Sequence, residues 1–479
     1  MASSIEDTLA AVGYVKVIAT LNDKVSAAAQ SDAQLESSIE GHFTVPNAAQ
    51  AESLATVAGH FASRKFKRPE PLSSRRVRVY RHLGLAVGYV NNSGLASLQT
   101  DAQVGKVDKA PELSLIRPVA MQDFRLGTGP TWGIRRMQVD QLWAAGITGK
   151  GVLVGHLDTG VDGSHPALKG AIGKFAEFDF AGDMVPGAKP RDSGEHGTHT
   201  AGTIAGRPVS KGRFGVAPDA QLASAMVIEG GQVIDRILAG MDWVIGEGAR
   251  ILSMSLGLRG FTPAFQSVID ALRAANVLPI IAVGNEGPNT SRSPGNYANV
   301  LSIGAMDGND RVADFSGSQQ FDRPINPLCP TLVAPGVDVL SCVPGDKYKL
   351  MNGSSMATPH VAGLAALLLE AVPAATPDQL ERAIVGSCSR PASMIQARAD
   401  HGVPDAVRAF EILKGAPLPA AVVATGSQRR SGSGGRRGAA KKGSARIAAR
   451  RPGRKVARKP NKMAASAGRK KAAPKRRLG

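Results

Sequence analysis

The chain has 479 residues, enough for two or three domains and a large apolar core. Its net charge is +19, yet 20 Lys and Arg and no Asp or Glu follow Gln428, so the first 428 residues are close to neutral and the basicity belongs to the tail. No run of about 18 apolar residues is present, which excludes a membrane-spanning helix. Cys329, Cys342 and Cys388 have no paired spacing, which argues against a disulfide framework and for a reducing compartment.

The N-terminal MASSIEDTLAAVGYVKVIATL lacks a basic leader, and its apolar run is broken by Lys16, so it reads as the approach to a strand rather than a signal peptide, and the expected location is cytoplasmic. Residues 1–120 read as strand GYVKVIATL, helix NAAQAESLATVAGHFASR, the strand pair VRVYRHL and LAVGYV turning at Gly84, helix SGLASLQTDAQV and a final strand LSLIRPV. That β-α-β-β-α-β order is ferredoxin-like. Residues 121–145 contain the turn-rich MQDFRLGTGPTW, read as a linker into the next domain.

Across 146–414, short continuous apolar strands (VLVGHLD, LASAMVI, RILSMSL, LPIIAV) alternate with helical segments. Continuous rather than alternating strands suit a parallel sheet covered on both faces, so the expectation is a doubly wound α/β domain. Residues 415–479 are Ala, Gly, Lys, Arg, Pro and Ser without apolar periodicity, the composition of a disordered tail.

In such a sheet ligands bind beyond the carboxyl ends of the strands. Asp158 ends VLVGHLD and precedes Thr159-Gly160. His196 opens the small-residue helix HGTHTAGTIAG, and Ser355 opens the helix that follows MNGSSMATPHVAG. A serine nucleophile needs a base, and the base needs a carboxylate to fix its tautomer. Taken singly, each residue has a plainer role. Ser354 or Ser355 can cap the helix, with Pro359 in its first turn. Asp158 can form a turn, and His196 and His199 can bind a metal, although no third ligand follows at a zinc-site spacing.

HLDTGVDGSHPAL, HGTHTAGTIAG and NGSSMATPHVAG, in the order Asp, His, Ser, resemble the three signature blocks of subtilisin-like serine peptidases. The likeness covers about Trp132 to Phe410 and implies a subtilisin-like fold. It also implies that Asp158 orients the imidazole, His196 is the general acid/base and Ser355 the nucleophile. Asn285, in IAVGNEGP, matches the family's oxyanion-hole asparagine, acting with the Ser355 backbone N–H. Ser255, Leu256 and Gly257 match the edge that pairs with substrate backbone, implying a broadly specific endopeptidase acting on proteins or peptides. Asn285 as a turn residue and Gly257 as a strand end are the plainer alternatives.

Many relatives carry an acidic residue after the His-Pro of SHP, where it helps bind calcium; here that position is Ala167, so a calcium site is doubtful and no metal ligand or cofactor is assigned. The N-terminal region is similar to the family's inhibitory propeptide, which implies a zymogen that cuts itself between about Pro118 and Trp132. The tail, with Arg429-Arg430, Lys441-Lys442 and Lys470-Lys471 and no aromatic residue, suits DNA or RNA phosphate neutralisation through residues 429–479 without sequence readout, or simple solubilisation. A rival class is a nucleic-acid-associated binding protein whose peptidase domain is incidental or silent.

Overall fold

Val15–Leu21 shows how the first domain folds. Val15, Val17, Ala19 and Leu21 enter one apolar cluster, whereas Ile18 points the other way into a second cluster, as the two-residue period of a strand requires. The computed structural model of the protein describes residues 4–22, 31–46, 75–228 and 233–420. The helix expected over 47–64 and the basic tail from 429 lie outside these residues.

The N-terminal domain contains α1 (Ile5–Val12), β1 (Val15–Leu21), α2 (Asp32–Ile39), β2 (Val77–Tyr80), β3 (Leu85–Val90), α3 (Asn92–Thr100) and β4 (Val104–Lys109). The strand order β2-β3-β1-β4, antiparallel throughout, is that of a ferredoxin-like sheet. Gly84 turns β2 into β3 at a φ of 61°, where a side chain would be strained. Helices α1 and α2 were not read from the sequence, although both start with a reciprocal capping box, Ser4 with Asp7 and Ser31 with Gln34.

The expected last strand, LSLIRPV, is not part of this sheet. Its place is taken by the weakly apolar Val104–Lys109, VGKVDK. Part of LSLIRPV instead forms β5 (Ser114–Leu115), which pairs with a strand of the second domain. The expected linker is also structured in part, as β6 (Ala120–Phe124).

In the second domain a seven-stranded parallel sheet comprises β7 (Leu153–Asp158), β8 (Ile172–Glu177), β9 (Gln221–Met226), β10 (Ile251–Met254), β12 (Leu278–Ala282), β13 (Leu301–Met306) and β14 (Leu332–Pro335). Their spatial order is β14-β13-β12-β10-β7-β9-β8. Between β10 and β12 runs the short strand β11 (Leu256–Arg259), outside this sheet. Neighbouring residues on one strand enter opposite cores: Leu222 and Ile251 on one side, Ala223 and Leu252 on the other. The first core is completed by α4 (His196–Ala205) and α7 (Ser354–Ala371), the second by α5 (Ile234–Gly246) and α6 (Gln266–Ala274). This is the doubly wound α/β arrangement that the strand composition implies. After β14 an antiparallel hairpin, β15 (Val339–Val343) and β16 (Lys347–Asn352), leads into α7, and β6 pairs with β16.

The outer face of the N-terminal sheet packs on α5. Ile18, Tyr80, Leu83, Leu85 and Val87 share a core with Ile237, Leu238 and Met241. Polar contacts ring this patch: Lys16 is paired with Asp235, the Tyr80 hydroxyl donates to the Asp235 carbonyl (3.0 Å), and Asp242 accepts from Leu83 N–H (3.1 Å) and meets His82 Nδ1 (3.1 Å).

Candidate active site

Strand β7 ends by delivering Asp158, 2% exposed, to the carboxyl edge of the sheet. Its Oδ1 accepts from His196 Nδ1 and from Thr159 N–H, both at 2.7 Å, and its Oδ2 accepts from the Thr200 hydroxyl at 3.1 Å. Burial pushes this carboxyl up, but the adjoining His196 imidazole, with His156 and the Thr159 N–H, outweighs it and holds the group below its ordinary range. Asp158 is therefore ionised at neutral pH, as an acceptor-only partner must be.

His196 is the first residue of α4. The small residue after it is required by close approach: a Cβ at Gly197 would stand 2.0 Å from the Gly160 carbonyl oxygen. Gly160 itself has a φ of 106°. With Nδ1 committed to Asp158, His196 has Nε2 available; this atom is buried and has no hydrogen-bond partner among the described residues. His199, one turn on, is packed: its Nε2 meets the Val339 (3.0 Å) and Lys349 (3.2 Å) carbonyls, and burial lowers its pKa to about 3. It is a buried, packed side chain.

Neither serine at the start of α7 caps the helix. The N-cap is Gly353, with no side-chain cap bond, and Pro359 is the sixth helical residue rather than part of the first turn. The ring removes the N–H that would bond the Ser355 carbonyl, and the Ser255 hydroxyl approaches that carbonyl at 3.5 Å. Ser354 Oγ donates to Asn285 Oδ1 at 2.8 Å, and Ser354 N–H donates to the same oxygen at 2.8 Å. These two bonds fix the amide so that Asn285 Nδ2 is the end that donates outward. Sequence reading missed this role of Ser354; the serine doublet was its only trace.

The cleft is filled by the protein's own chain. Leu256 and Gly257 of β11 pair antiparallel with Leu115 and Ser114, and Ile116 N–H donates to the Ser255 carbonyl at 3.0 Å. Leu113 and Ile116 are buried, three residues apart. Ser355 Oγ donates to the Ile116 carbonyl at 2.6 Å, and Asn285 Nδ2 donates to the Arg117 carbonyl at 2.9 Å. Val119 N–H then donates to the Asn352 carbonyl at 2.8 Å, and the chain continues as β6 on β16. The seven residues singled out in the sequence fall into two bonded sets. Asp158 and His196 are bonded to each other, Ser355 and Asn285 hold consecutive carbonyls of one segment, and Ser255, Leu256 and Gly257 pair with its backbone.

Among the described residues, no group of three or more His, Cys, Asp or Glu side chains is placed to hold a metal ion. Ala167 is buried, and the Asp162 carboxylate in the same loop accepts from Ser164 N–H and from Gly345 N–H.

The arrangement has the parts of an acyl-transfer site: a buried carboxylate–imidazole pair, a serine at a helix N-terminus, and an oriented amide donor. The subtilase family model matches residues 149–410. Subtilisin BL of Lederbergia lenta is 39% identical over 245 residues, 50% of this chain and 85% of that protein. An intracellular serine protease of Paenibacillus polymyxa is 39% identical over 246 residues, 49% of this chain and 72% of its own. Subtilisin E of Bacillus subtilis (strain 168) is 35% identical over 298 residues, 60% of this chain and 73% of that protein. The family match spans more than half of the chain and the relatives agree with it, so the chain belongs to the subtilase family and is a subtilisin-like serine endopeptidase.

Proposed function

We propose that Ser355 is the nucleophile, His196 the general acid/base and Asp158 the group that fixes the imidazole tautomer. The observation that carries this reading is the Asp158–His196 bond at 2.7 Å, which leaves His196 Nε2 to take a proton. Ser355 Oγ attacks the substrate carbonyl as its proton passes to Nε2. The tetrahedral oxyanion is held by Asn285 Nδ2 and the Ser355 backbone N–H, one of the orphan donors of a helix start. Collapse expels the amine, which takes the proton from His196, and water then hydrolyses the acyl-enzyme by the same route. No cofactor or metal enters any step. Ser255, Leu256 and Gly257 supply an edge for substrate backbone, which reads main chain more than side chains.

The N-terminal domain is the inhibitor of a zymogen in this reading. The support is the segment Leu113–Val119 running through the cleft in the manner of a substrate. The carbonyl next to the nucleophile is that of Ile116, so the bond cut in self-processing is Ile116–Arg117, just before the interval expected from the sequence. The test is mass spectrometry of both termini during storage of purified full-length protein. Wild type is expected to yield a chain starting at Arg117, and Ser355→Ala to stay whole. Cleavage of the inactive variant at that bond would overturn self-processing.

Residues 429–479 are proposed to bind DNA, RNA or another polyanion, supported by the concentration of positive charge there. A reducing, cytoplasmic setting suits three unpaired thiols, two of them buried.

A further inference from the structure

A polar residue interrupts the apolar strand β7. His156 lies on the same face of the sheet as Val154, the face covered by α4 and α7, and is 1% exposed. Register places Ser224 of β9 beside it on one side and Ser253 of β10 on the other. Both ring nitrogens are used: Nδ1 lies 3.0 Å from Ser224 Oγ, and Nε2 lies 2.9 Å from Thr200 Oγ1. Thr200 Oγ1 stands in turn 3.1 Å from Asp158 Oδ2. An imidazole and two hydroxyls at these sites need mutual hydrogen bonds that apolar side chains would not.

The protons can be assigned by elimination. Ionised Asp158 only accepts, so the Thr200 proton must go to it if Oδ2 is to have this donor. Thr200 then accepts from His156 Nε2–H, and His156 Nδ1 accepts from the Ser224 hydroxyl. The competing acceptors for the Thr200 proton are the backbone carbonyls of Gly197 (3.1 Å) and His196 (3.2 Å).

We propose that His156 is a positioning residue for the peptidase reaction: as a neutral Nε2–H imidazole it commits the Thr200 hydroxyl to Asp158, orienting the carboxylate and moderating its pull on His196. The assignment rests on the catalytic roles given above to Asp158, His196 and Ser355. Burial holds His156 below its ordinary range, with His196 acting in the same direction and Asp158 and Asp192 opposing. These are the charged and titratable groups that act on it, and its Nε2 is 3.8 Å from Asp158 Oδ2. A neutral ring is what the proton assignment needs.

The test is the pH profile of kcat/KM for the matured full chain, with the active fraction counted by a serine-directed fluorophosphonate. A carboxylate that loses a donor attracts the imidazolium more strongly. Thr200→Val and His156→Val should therefore move the acid limb to higher pH by roughly half a unit and lower kcat with KM little changed. Thr200→Ser, which keeps the hydroxyl, should bring the limb back toward its wild-type position. If His156→Val does not fold, the triple variant His156→Val, Thr200→Val, Ser224→Ala removes the whole polar chain, leaves Asp158 Oδ2 as the one atom deprived of its donor, and should show the same displaced limb. An unmoved limb in the folded variants, or an equal displacement in Thr200→Ser and Thr200→Val, overturns the proposal. Ser355→Ala, assayed alongside, separates the two readings. If it still hydrolyses peptide, the catalytic assignment fails; if it is inert while the limb stays fixed, only the role of His156 fails.

Discussion

Ser355 Oγ donates its hydrogen bond to the carbonyl of Ile116 at 2.6 Å, not to His196. The Asn285 donor is likewise engaged, on Arg117, at 2.9 Å. Ser355 and Asn285, the proposed nucleophile and oxyanion donor, are therefore held on two successive carbonyls of the protein's own chain. Any other polypeptide that is to pair with β11 must first displace Ser114 and Leu115. For the Ile116–Arg117 bond to react, the Ile116 carbonyl must move onto Asn285 Nδ2, freeing the Ser355 proton for His196 Nε2.

Asn285→Ala should lower kcat by two to three powers of ten with little change in KM. The donor acts where charge develops, and an asparagine in this role in a subtilisin is worth about 3 kcal/mol. Ser354→Ala should cost less than about tenfold, because the Ser354 N–H still holds Asn285 Oδ1 at 2.8 Å. Steady-state kinetics on a small peptide substrate checks both. Equal losses in the two variants would show that Asn285 acts only by packing.

Much of this site is legible in the sequence because its parts are local. Asp158 ends a buried apolar run, and His196 and Ser355 each open a helix made of small residues. Pairwise geometry was not legible. The family resemblance of NGSSMATPHVAG picks Ser355 over Ser354, but nothing in that block says that Ser354 orients an asparagine 69 positions away. The segment LSLIRPV misleads for a physical reason: it pairs in the cleft with β11, where Leu113 and Ile116 are buried, rather than with the N-terminal sheet. The true edge strand, VGKVDK, is half solvent-exposed and so lacks an apolar signal. His156 reads as one more residue of a core strand until the register sets it beside Ser224.

Docking of the N-terminal domain should weaken as pH rises. The hydrogen bond to Asp242 raises the pKa of His82, partial burial opposes this, and Asp32 and Arg81 act as smaller favourable and unfavourable charges. A group whose folded pKa is raised stabilises fully below its unfolded value, about 6.5, and loses that contribution as pH rises through the folded pKa. In a Ser355→Ala background, His82→Gln should therefore lower Tm below about pH 6 and not above about pH 9. A Tm difference that is the same at both pH values would remove His82 from the docking energy.

The tail should act as a salt-sensitive anchor that catalysis does not need. Log affinity for duplex DNA should fall by about 0.9 per neutralised phosphate for each tenfold rise in salt. It should depend little on base sequence, since no aromatic residue follows Gln428. A truncation ending at Gly426 should lose binding and keep small-peptide hydrolysis. Equal binding by the truncated chain, or none by the full chain at low salt, would leave the tail a solubilising segment.

Ser355 is proposed as the nucleophile, activated by His196 and Asp158. The most direct measurement is labelling of the matured protein with a serine-directed fluorophosphonate, followed by peptide mapping and peptide hydrolysis for wild type, Ser354→Ala and Ser355→Ala. One adduct, on Ser355, is expected in wild type and Ser354→Ala. Ser355→Ala should carry no adduct, with activity several powers of ten lower. An adduct on Ser354, or hydrolysis retained by a folded Ser355→Ala protein, would contradict it.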